Sequence, residues 1–411
     1  MADQGRLLSD CAVYSGTVGS NPTLSAIQNI QQSMKIRTIT SGFNLDLPVK
    51  ESQLKKQAEF LHKAKEVYQK EGYQVQTTRI AFQEWTKSPG SIDEIIEHAV
   101  KVGEYCSKYE IDYFSMGTVS NKSLLPAVKE VIKHTESGFF SVYAAGKKGV
   151  DRELIKQSAE IIKSLSCVED DGFANLRFAV LFNVPANTPF FPAAFHQGAE
   201  SFGLGTENSD MVFKAFDKAK TTEEAKNNLE ADLNLEFEKL QRASLILSEE
   251  SGINFDGIDV SIAPSVQPDE SIAFAFEKLG LGRFGESGTL FLAKLVTDIL
   301  RSLKVKKCGY SGLMLPLLED YGLAERNNQG FLNLNKLLSY SSVCGTGLDT
   351  IPLPGDVSVE RIYALLLDVA ALSLKLDKPL SARLMPIPGK KYGDMTEYKF
   401  DYFVNTRTMA L

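Results

Sequence analysis

A candidate nucleophile, Cys344, stands among small residues on a glycine-rich stretch of the chain. Gly345 and Gly347 follow it closely, and Pro352 and Pro354 come a few residues later. Glycine permits close approach of the backbone and proline fixes φ, so this stretch is predicted to be a stiff loop. Backbone N–H groups beside a thiol lower its pKa and favour the nucleophilic thiolate. The pattern predicts an exposed, catalytic Cys344, and a small buried packing residue is the alternative.

A general base for that thiol is predicted at His196. The chain has four histidines, and the other three, His62, His98 and His134, fall in predicted helices among charged residues. His196 instead follows a run of prolines and phenylalanines directly after a predicted buried strand, where ligand-binding loops of α/β proteins lie. A hydrogen-bonded structural histidine is the alternative. Asp349, shortly after the cysteine, completes the predicted catalytic group.

Arginines within predicted strands indicate recognition of an anion. Arg37, Arg79 and Arg383 each fall in a β-rich run, and burying an unpaired charge there is costly. Their forked donors suit a carboxylate or phosphate, and Lys390 is predicted to add to the positive field. The alternative is that they pair with carboxylates at strand ends or on an outer face. Polar and small residues complete the predicted substrate-binding set: Asn183, Asp259, Ser261, Ser311 and Gly345.

No cofactor is identifiable from a motif. Oxygen ligands such as Asp259, Asp349 and Asp356 would suit Mg²⁺ or Ca²⁺ if they met in one site, so a divalent metal is kept as an alternative. No His/Cys spacing typical of zinc is present, and no metal ligand is assigned.

Composition excludes several classes of protein. The 411 residues carry a net charge of −7, with 43% hydrophobic and 24% charged residues, as in ordinary globular enzymes. The acidic balance argues against binding to nucleic acid or to anionic membranes, and no apolar run is long enough for a membrane span. Five cysteines without CxxC spacing predict free thiols in a reducing compartment, so a cytoplasmic protein is expected. A homodimer that binds a small anionic molecule is the expected assembly.

Alternating helix and strand patterns predict a single α/β domain over residues 1–411 with about nine or ten strands. Strands are predicted at 36–40, 75–81, 111–115, 139–145, 176–182, 256–262, 310–315 and 381–387. Helices are predicted at 50–72, 91–106, 122–134, 151–165, 270–279, 287–303, 333–340 and 358–374, with one long charged helix at about 220–250. So many strands, several of them parallel, favour closure into a barrel over an open sheet.

Motifs over nearly the whole chain resemble one family. They are residues 36–40, 178–185, 189–196, 257–264, 284–289, 309–312, 341–356 and 383–391. In this order they resemble the domain-of-unknown-function family "seven-eleven", which is grouped by fold with pyruvate formate-lyase and ribonucleotide reductase. The resemblance implies a ten-stranded α/β barrel of two five-stranded halves, with a central finger loop that would carry Cys344. It implies no reaction, because the family has no settled activity.

The sequence therefore predicts an enzyme that acts on a small carboxylate-bearing metabolite by polar Cys/His chemistry in the barrel lumen. A lyase, cyclase or isomerase reaction is expected. One alternative is a non-catalytic protein that binds or senses a small ligand. A glycyl-radical-like enzyme is the further alternative, although residues 383–389 depart from the radical-glycine motif of the barrel relatives.

Overall fold

The computed structural model of the chain describes residues 34–85, 90–147 and 149–411. Residues 1–33, which the predicted domain includes and which contain Cys11, lie outside the described residues. The strands are β1 (Lys35–Gly42), β2 (Val75–Ala81), β3 (Tyr113–Val119), β4 (Gly138–Gly146), β5 (Gly149–Val150), β6 (Phe178–Phe182), β7 (Ser201–Glu207), β8 (Asn254–Ala263), β9 (Gly347–Pro354) and β10 (Leu380–Ile387).

The helices follow the strands through most of the described chain. They are α1 (Glu51–Lys70), α2 (Ile92–Lys108), α3 (Leu125–His134), α4 (Arg152–Leu165), α5 (Ser209–Lys218), α6 (Thr222–Ser251), α7 (Ile272–Glu277), α8 (Thr289–Ser302), α9 (Tyr321–Asn328), α10 (Leu334–Ser341) and α11 (Val359–Leu376).

Local capping chemistry explains where several helices begin and end. Ser91 and Glu94 form a capping box at the start of α2, each side chain bonding the other's backbone N–H. The long charged helix is α6, which Thr221 caps by accepting a hydrogen bond from the Glu224 N–H. It ends at Gly252, whose φ of 69° is the left-handed conformation that glycine adopts without strain.

All ten strands belong to one sheet, in the order β8-β7-β1-β2-β3-β4-β6-β10-β9, with β5 paired to β4. β1, β2, β3, β4 and β6 run parallel to one another. β7 and β8 form a second parallel group, and β10 and β9 a third. These groups meet antiparallel at β1–β7 and at β6–β10. The predictions of an α/β protein and of ten strands are confirmed.

The two end strands are linked through an irregular stretch of chain, here named the bridging segment (306–318). Within the described residues, β8 and β9 do not pair with each other. The Cys308 N–H donates to the Ile258 carbonyl on β8 (3.1 Å), and the Leu317 N–H donates to the Asp349 carbonyl on β9 (3.1 Å). The bridging segment thus contacts both ends of the sheet, whereas closure of the sheet into a barrel stays a prediction.

Two predicted elements are wrong. The strand predicted at 310–315 is part of the bridging segment and forms no regular strand. The stretch after the cysteine, predicted to be a stiff loop because of Pro352 and Pro354, instead forms β9. Proline lacks an N–H and is tolerated in a strand that ends a sheet, and β9 is the last strand in the sheet order.

The connection between β6 and β7, here named the interior loop (183–200), lies against the inner face of the sheet. The Thr40 hydroxyl on β1 donates to the Pro189 carbonyl (2.7 Å), and the Ser115 hydroxyl on β3 donates to the Ala194 carbonyl (2.7 Å). Residues 188–196 are all buried. This connection therefore enters the interior, where the family resemblance predicts a loop that carries Cys344.

Candidate functional site

A cavity of about 660 Å³ lies at the inner face of the sheet. Proteins commonly bind small molecules in cavities of this size. Ten acidic, basic or histidine side chains and a larger number of apolar ones surround it. The ten are Arg37, Arg79, Lys133, His134, Glu136, Glu169, Arg177, Glu319, Asp349 and Arg383. Most of the aromatic lining comes from Tyr113, Phe139, Phe173, Phe190, Phe191, Tyr310, Phe400 and Tyr402.

A chain of ion pairs crosses one part of this cavity. Glu319 accepts from Arg37 Nη2 with Oε2 (3.0 Å) and from Arg383 Nη2 with Oε1 (2.7 Å). Arg383 also donates from Nε to Asp349 Oδ1 (2.6 Å), and Arg37 donates from Nη1 to Glu207 Oε2 (2.9 Å). Two of the predicted anion-binding arginines therefore already hold protein carboxylates, as the alternative prediction stated.

This network shows that the sheet is strongly curved. Arg37 lies on β1 and Arg383 on β10, which are five strands apart in the sheet order. In a flat sheet that separation is about 24 Å, and side chains stand roughly perpendicular to the sheet. A single carboxylate, that of Glu319, nevertheless contacts both guanidinium groups. The inner faces of β1 and β10 must therefore face each other across the cavity.

Arg79 differs from the other three arginines of the lining, Arg37, Arg177 and Arg383, because no carboxylate of the described chain lies within ion-pair distance of it. Its Nε donates to Thr77 Oγ1 (2.9 Å), which fixes the side chain beside the cavity. The guanidinium carbon lies 5.5 Å from the centre of the Tyr113 ring and 5.1 Å from that of Phe191. Burial and the nearby charge of Arg37 lower the pKa of Arg79 to about 10, so it remains charged at neutral pH.

Two hydroxyl groups on another part of the lining also lack partners. Tyr310 Oη and Thr346 Oγ1 are buried and form no hydrogen bond with any described residue. Tyr310 is 8% exposed and Thr346 is 2% exposed, and both border the cavity. Buried polar groups are normally hydrogen-bonded, so these two hydroxyls have a hydrogen-bonding capacity that no described residue uses.

Three predicted substrate-binding residues, Asp259, Ser261 and Ser311, lie next to one another and fix the backbone turn at Tyr310. The buried Asp259 carboxylate accepts from the Tyr310 N–H (2.8 Å), the Ser311 N–H (2.9 Å) and the Ser261 hydroxyl (2.6 Å). Ser261 in turn accepts from the Gly312 N–H (3.0 Å). Asp259, Ser261 and Ser311 do not line the cavity, so their contribution is to position Tyr310.

The thiol of Cys344 is buried, and the prediction that it is exposed is wrong. Cys344 is 0% exposed and packs in the main hydrophobic core, away from the lining of the cavity. Burial raises the pKa of the Cys344 thiol, although the charge of Lys378 partly offsets this. The neighbouring Gly345 allows two stretches of backbone to pack closely, because a Cβ on Gly345 would lie 2.6 Å from the Gly312 backbone.

Alkylation of the native protein checks this placement. Iodoacetamide is expected to label Cys167, which is exposed, and to leave Cys344 and Cys106 unlabelled. Thiol reactivity requires access and thiolate character, and these two cysteines lack both. Mass spectrometry of the peptides reads the labelling, and protein unfolded in urea serves as the control in which every cysteine reacts. Labelling of native Cys344 as fast as Cys167 would contradict the placement.

The predicted base, His196, lies on the interior loop but does not line the cavity. Its backbone N–H donates to the Phe82 carbonyl (2.8 Å), and its Nε2 lies 3.0 Å from the Gly198 carbonyl. Burial lowers the pKa of His196, so the neutral ring donates from Nε2. No hydrogen bond joins His196 with Cys344 in the described chain, and the structure does not bring the predicted catalytic pair together.

The remaining predicted site residues lie apart from the cavity. Asn183, at a φ of 54°, turns the chain into the interior loop and bonds Ser373. Lys390 pairs with Glu397 at 2.7 Å. Of the predicted set, the lining therefore contains Arg37, Arg79, Asp349 and Arg383.

Sequence reasoning missed several residues of the site. Glu319, Tyr310, Thr346 and Arg177 all line the cavity. The sequence carries a partial signal for Tyr310 and Thr346, since they fall in stretches 309–312 and 341–356, which the family resemblance singled out. Within the described ranges, no group of three or more His, Cys, Asp or Glu side chains is arranged to hold a metal ion. No described helix has the length and apolar character needed to cross a bilayer.

The fold and the cavity define an α/β protein whose curved sheet surrounds a charged, aromatic-lined internal site. The chain belongs to the DUF711 family, "Uncharacterised ACR", whose model matches residues 28–399, and the predicted family membership is confirmed. It is similar to a UPF0210 protein of Pyrobaculum aerophilum, with 32% identity over 74% of this chain and 71% of the relative. UPF0210 proteins of Pyrobaculum arsenaticum (29%, over 80% and 78%) and Listeria monocytogenes (29%, over 72% and 68%) are also similar.

Proposed function

We propose that the protein binds a small anionic molecule, with a carboxylate as the anionic group, in the 660 Å³ cavity. The observation that carries this proposal is Arg79. Its guanidinium is half-buried beside the cavity without a carboxylate partner among the described residues, and its Nη atoms donate to none of them. A charge that is partly removed from water and left unpaired is destabilising, so a site that retains one has a use for it. The ligand's anionic group supplies the missing partner.

The surroundings of Arg79 favour a carboxylate attached to an apolar body. The rings of Tyr113 and Phe191 flank the guanidinium, and Phe139 packs against both rings with centroid separations of 5.6 and 5.2 Å. A planar guanidinium held between rings presents its donor edge, which matches the two oxygens of a carboxylate. A free inorganic ion would leave the aromatic walls without an apolar partner.

As part of the same proposal, the nine strands of the sheet path and the bridging segment between β8 and β9 together close into a ten-stranded barrel whose lumen is the cavity. Support comes from the bridging segment, which bonds to both end strands, and from Glu319, which links β1 to β10. The parallel group of five strands, and the antiparallel junctions at β1–β7 and β6–β10, are consistent with the two barrel halves that the family resemblance implies.

The proposal assigns no chemistry to Cys344 or His196, because neither lines the cavity. Asp349, the third predicted catalytic residue, does line it, and Arg383 holds its carboxylate. A lyase, cyclase or isomerase reaction at this site would therefore use groups other than the predicted thiol and imidazole.

A charge-matched pair of probes tests the binding proposal. Calorimetric titration of the full chain is expected to show that 3-phenylpropionate binds at least about tenfold more tightly than its neutral amide. The two probes share shape and ring, so a difference in affinity reports the charge. Equal binding of acid and amide, or no binding of either one, would overturn the proposal.

A further inference from the structure

We infer that the ligand also carries a neutral hydrogen-bond acceptor, such as a carbonyl or hydroxyl oxygen, at the end remote from its anionic group. Tyr310 and Thr346 would hold this acceptor. The inference rests on the proposed function, because it concerns the molecule that Arg79 binds. It assigns the ligand to the class of oxo or hydroxy carboxylates whose two polar ends are separated by an apolar middle.

The evidence is the pair of unpartnered hydroxyls on the cavity lining. Several buried polar side-chain atoms of the described chain lack a hydrogen bond, among them those of Thr118 and Tyr398. Of the residues that carry these atoms, Tyr310 and Thr346 are the two that border the cavity. An unpartnered hydroxyl is costly when buried, and an acceptor that reaches Tyr310 Oη or Thr346 Oγ1 would remove that cost.

The phenol acts as a donor here. Burial raises the pKa of Tyr310 above its ordinary value, so the group keeps its proton at neutral pH. Ser381 lies close to the phenol, but its hydroxyl donates to the Thr346 carbonyl (3.1 Å) and forms no hydrogen bond of normal geometry with Tyr310. A protonated phenol recognises a neutral acceptor, whereas a second cation would recognise a second anion.

The sheet order places the two polar ends on opposite walls. Arg79 lies on β2, and Thr346 directly precedes β9, five strands away in the sheet order. Tyr310 belongs to the bridging segment beside β8 and β9. Because the sheet curves until β1 faces β10, β2 likewise faces β9 across the cavity. A ligand that reaches both ends must therefore be elongated.

One wall between these ends is apolar. Tyr310 packs in one buried cluster with Phe190, Ala193 and Met314, which all border the cavity. Phe191, which flanks Arg79, belongs to a neighbouring apolar cluster. Hydrocarbon in the middle of the ligand would be buried against these side chains, and a polar middle would lose its hydrogen bonds to water.

Matched pairs of carboxylates test the inference. The probes are straight-chain acids of five to nine carbons and the corresponding keto acids with the carbonyl on the penultimate carbon. Calorimetry with the full chain is expected to show one chain length at which the keto acid binds about tenfold more tightly than the plain acid. Tyr310→Phe and Thr346→Val are each expected to reduce this advantage to threefold or less without weakening the plain acid.

Tyr398→Phe and Thr118→Val are the matched controls, because each removes an unpartnered buried hydroxyl that does not border the cavity. Both controls should keep the full keto-acid advantage. Plain acids that bind through Arg79 with no keto advantage at any length would overturn the inference and leave the proposed function standing. If no acid binds at all, the proposed function itself is overturned, and the inference with it.

Discussion

Replacement of Arg79 by methionine is expected to lower the affinity for carboxylate probes at least about hundredfold, because it removes the charged donors that hold the anion. The same substitution is expected to raise the free energy of unfolding of the unliganded protein by about 1 kcal/mol. Methionine retains an apolar side chain between Tyr113 and Phe191 while the desolvated charge is lost. A substitution that stabilises the fold and abolishes binding marks a residue kept for function.

The pH dependence of this stability gain has a definite sign. The folded-state pKa of Arg79, about 10, lies below its ordinary value, because burial and the Arg37 charge disfavour the cation. The unfolded chain therefore binds more protons than the folded chain between about pH 10 and the ordinary value. In the wild type, the free-energy cost of holding the charged Arg79 in the folded state is complete below about pH 10 and shrinks above it. The stability advantage of Arg79→Met should narrow correspondingly, as urea denaturation at several pH values would show.

Arg326 provides the matched control for Arg79. It also stacks on a ring, with its guanidinium carbon 5.0 Å from the centre of Phe274, but it forms two bonds with Glu277 (2.7 and 2.6 Å). Arg326→Met should leave probe binding unchanged and lower the free energy of unfolding, because the Glu277 carboxylate loses its ion-pair partner. Unchanged binding in Arg79→Met, or the same stability change in both variants, would show that Arg79 is not the anion anchor.

The arginines illustrate how much of the site could be predicted from the sequence. A charged residue inside a strand pattern indicates either an ion pair or a ligand contact, and Arg37, Arg79 and Arg383 were singled out on that ground. The sequence could not separate the two cases, because the partners of Arg37 and Arg383 come from distant positions such as Glu319. Long-range pairing depends on the curvature of the sheet, which local sequence patterns do not report.

Cys344 illustrates the opposite failure. Glycines around a thiol were interpreted as exposure, yet the same residue type is required where two backbones touch. Gly345 lies against Gly312 of the bridging segment, and the sulfur is buried beneath this contact. Glycine reports that space is short or that φ is unusual, and it does not say on which side solvent lies.

The fold was predicted more fully than the site, for a physical reason. Helical period and capping are local properties of the sequence, so the bounds of α2 and α6 were predicted within a few residues. β7 was missed because two of its seven residues are glycines and only Phe202 and Leu204 are strongly apolar. Its place in the sheet comes from pairing with β1 and β8, which a local pattern does not reveal.

Replacement of Arg383 by methionine is expected to destabilise the protein by about 3–5 kcal/mol, the largest stability loss that the network supports. Arg383 is 8% exposed and donates to both Asp349 and Glu319. Burial alone would lower the pKa of Arg383, but the charges of Asp349 and Glu319 outweigh burial and hold it above the ordinary value. The cation therefore stabilises the folded state at every pH below its ordinary pKa.

The double variant Arg383→Met with Asp349→Asn separates the charge from the packing. Removing the stranded Asp349 charge should recover part of the loss, because much of the cost of Arg383→Met is the buried carboxylate left without a partner. Lys63→Met serves as the surface control, since the Lys63–Glu250 pair is half exposed and such pairs contribute about 0–1 kcal/mol. Chemical denaturation measures all three. If Arg383→Met costs no more than Lys63→Met, the network does not hold β1 and β10 together, and the curvature must be stabilised by the apolar core instead.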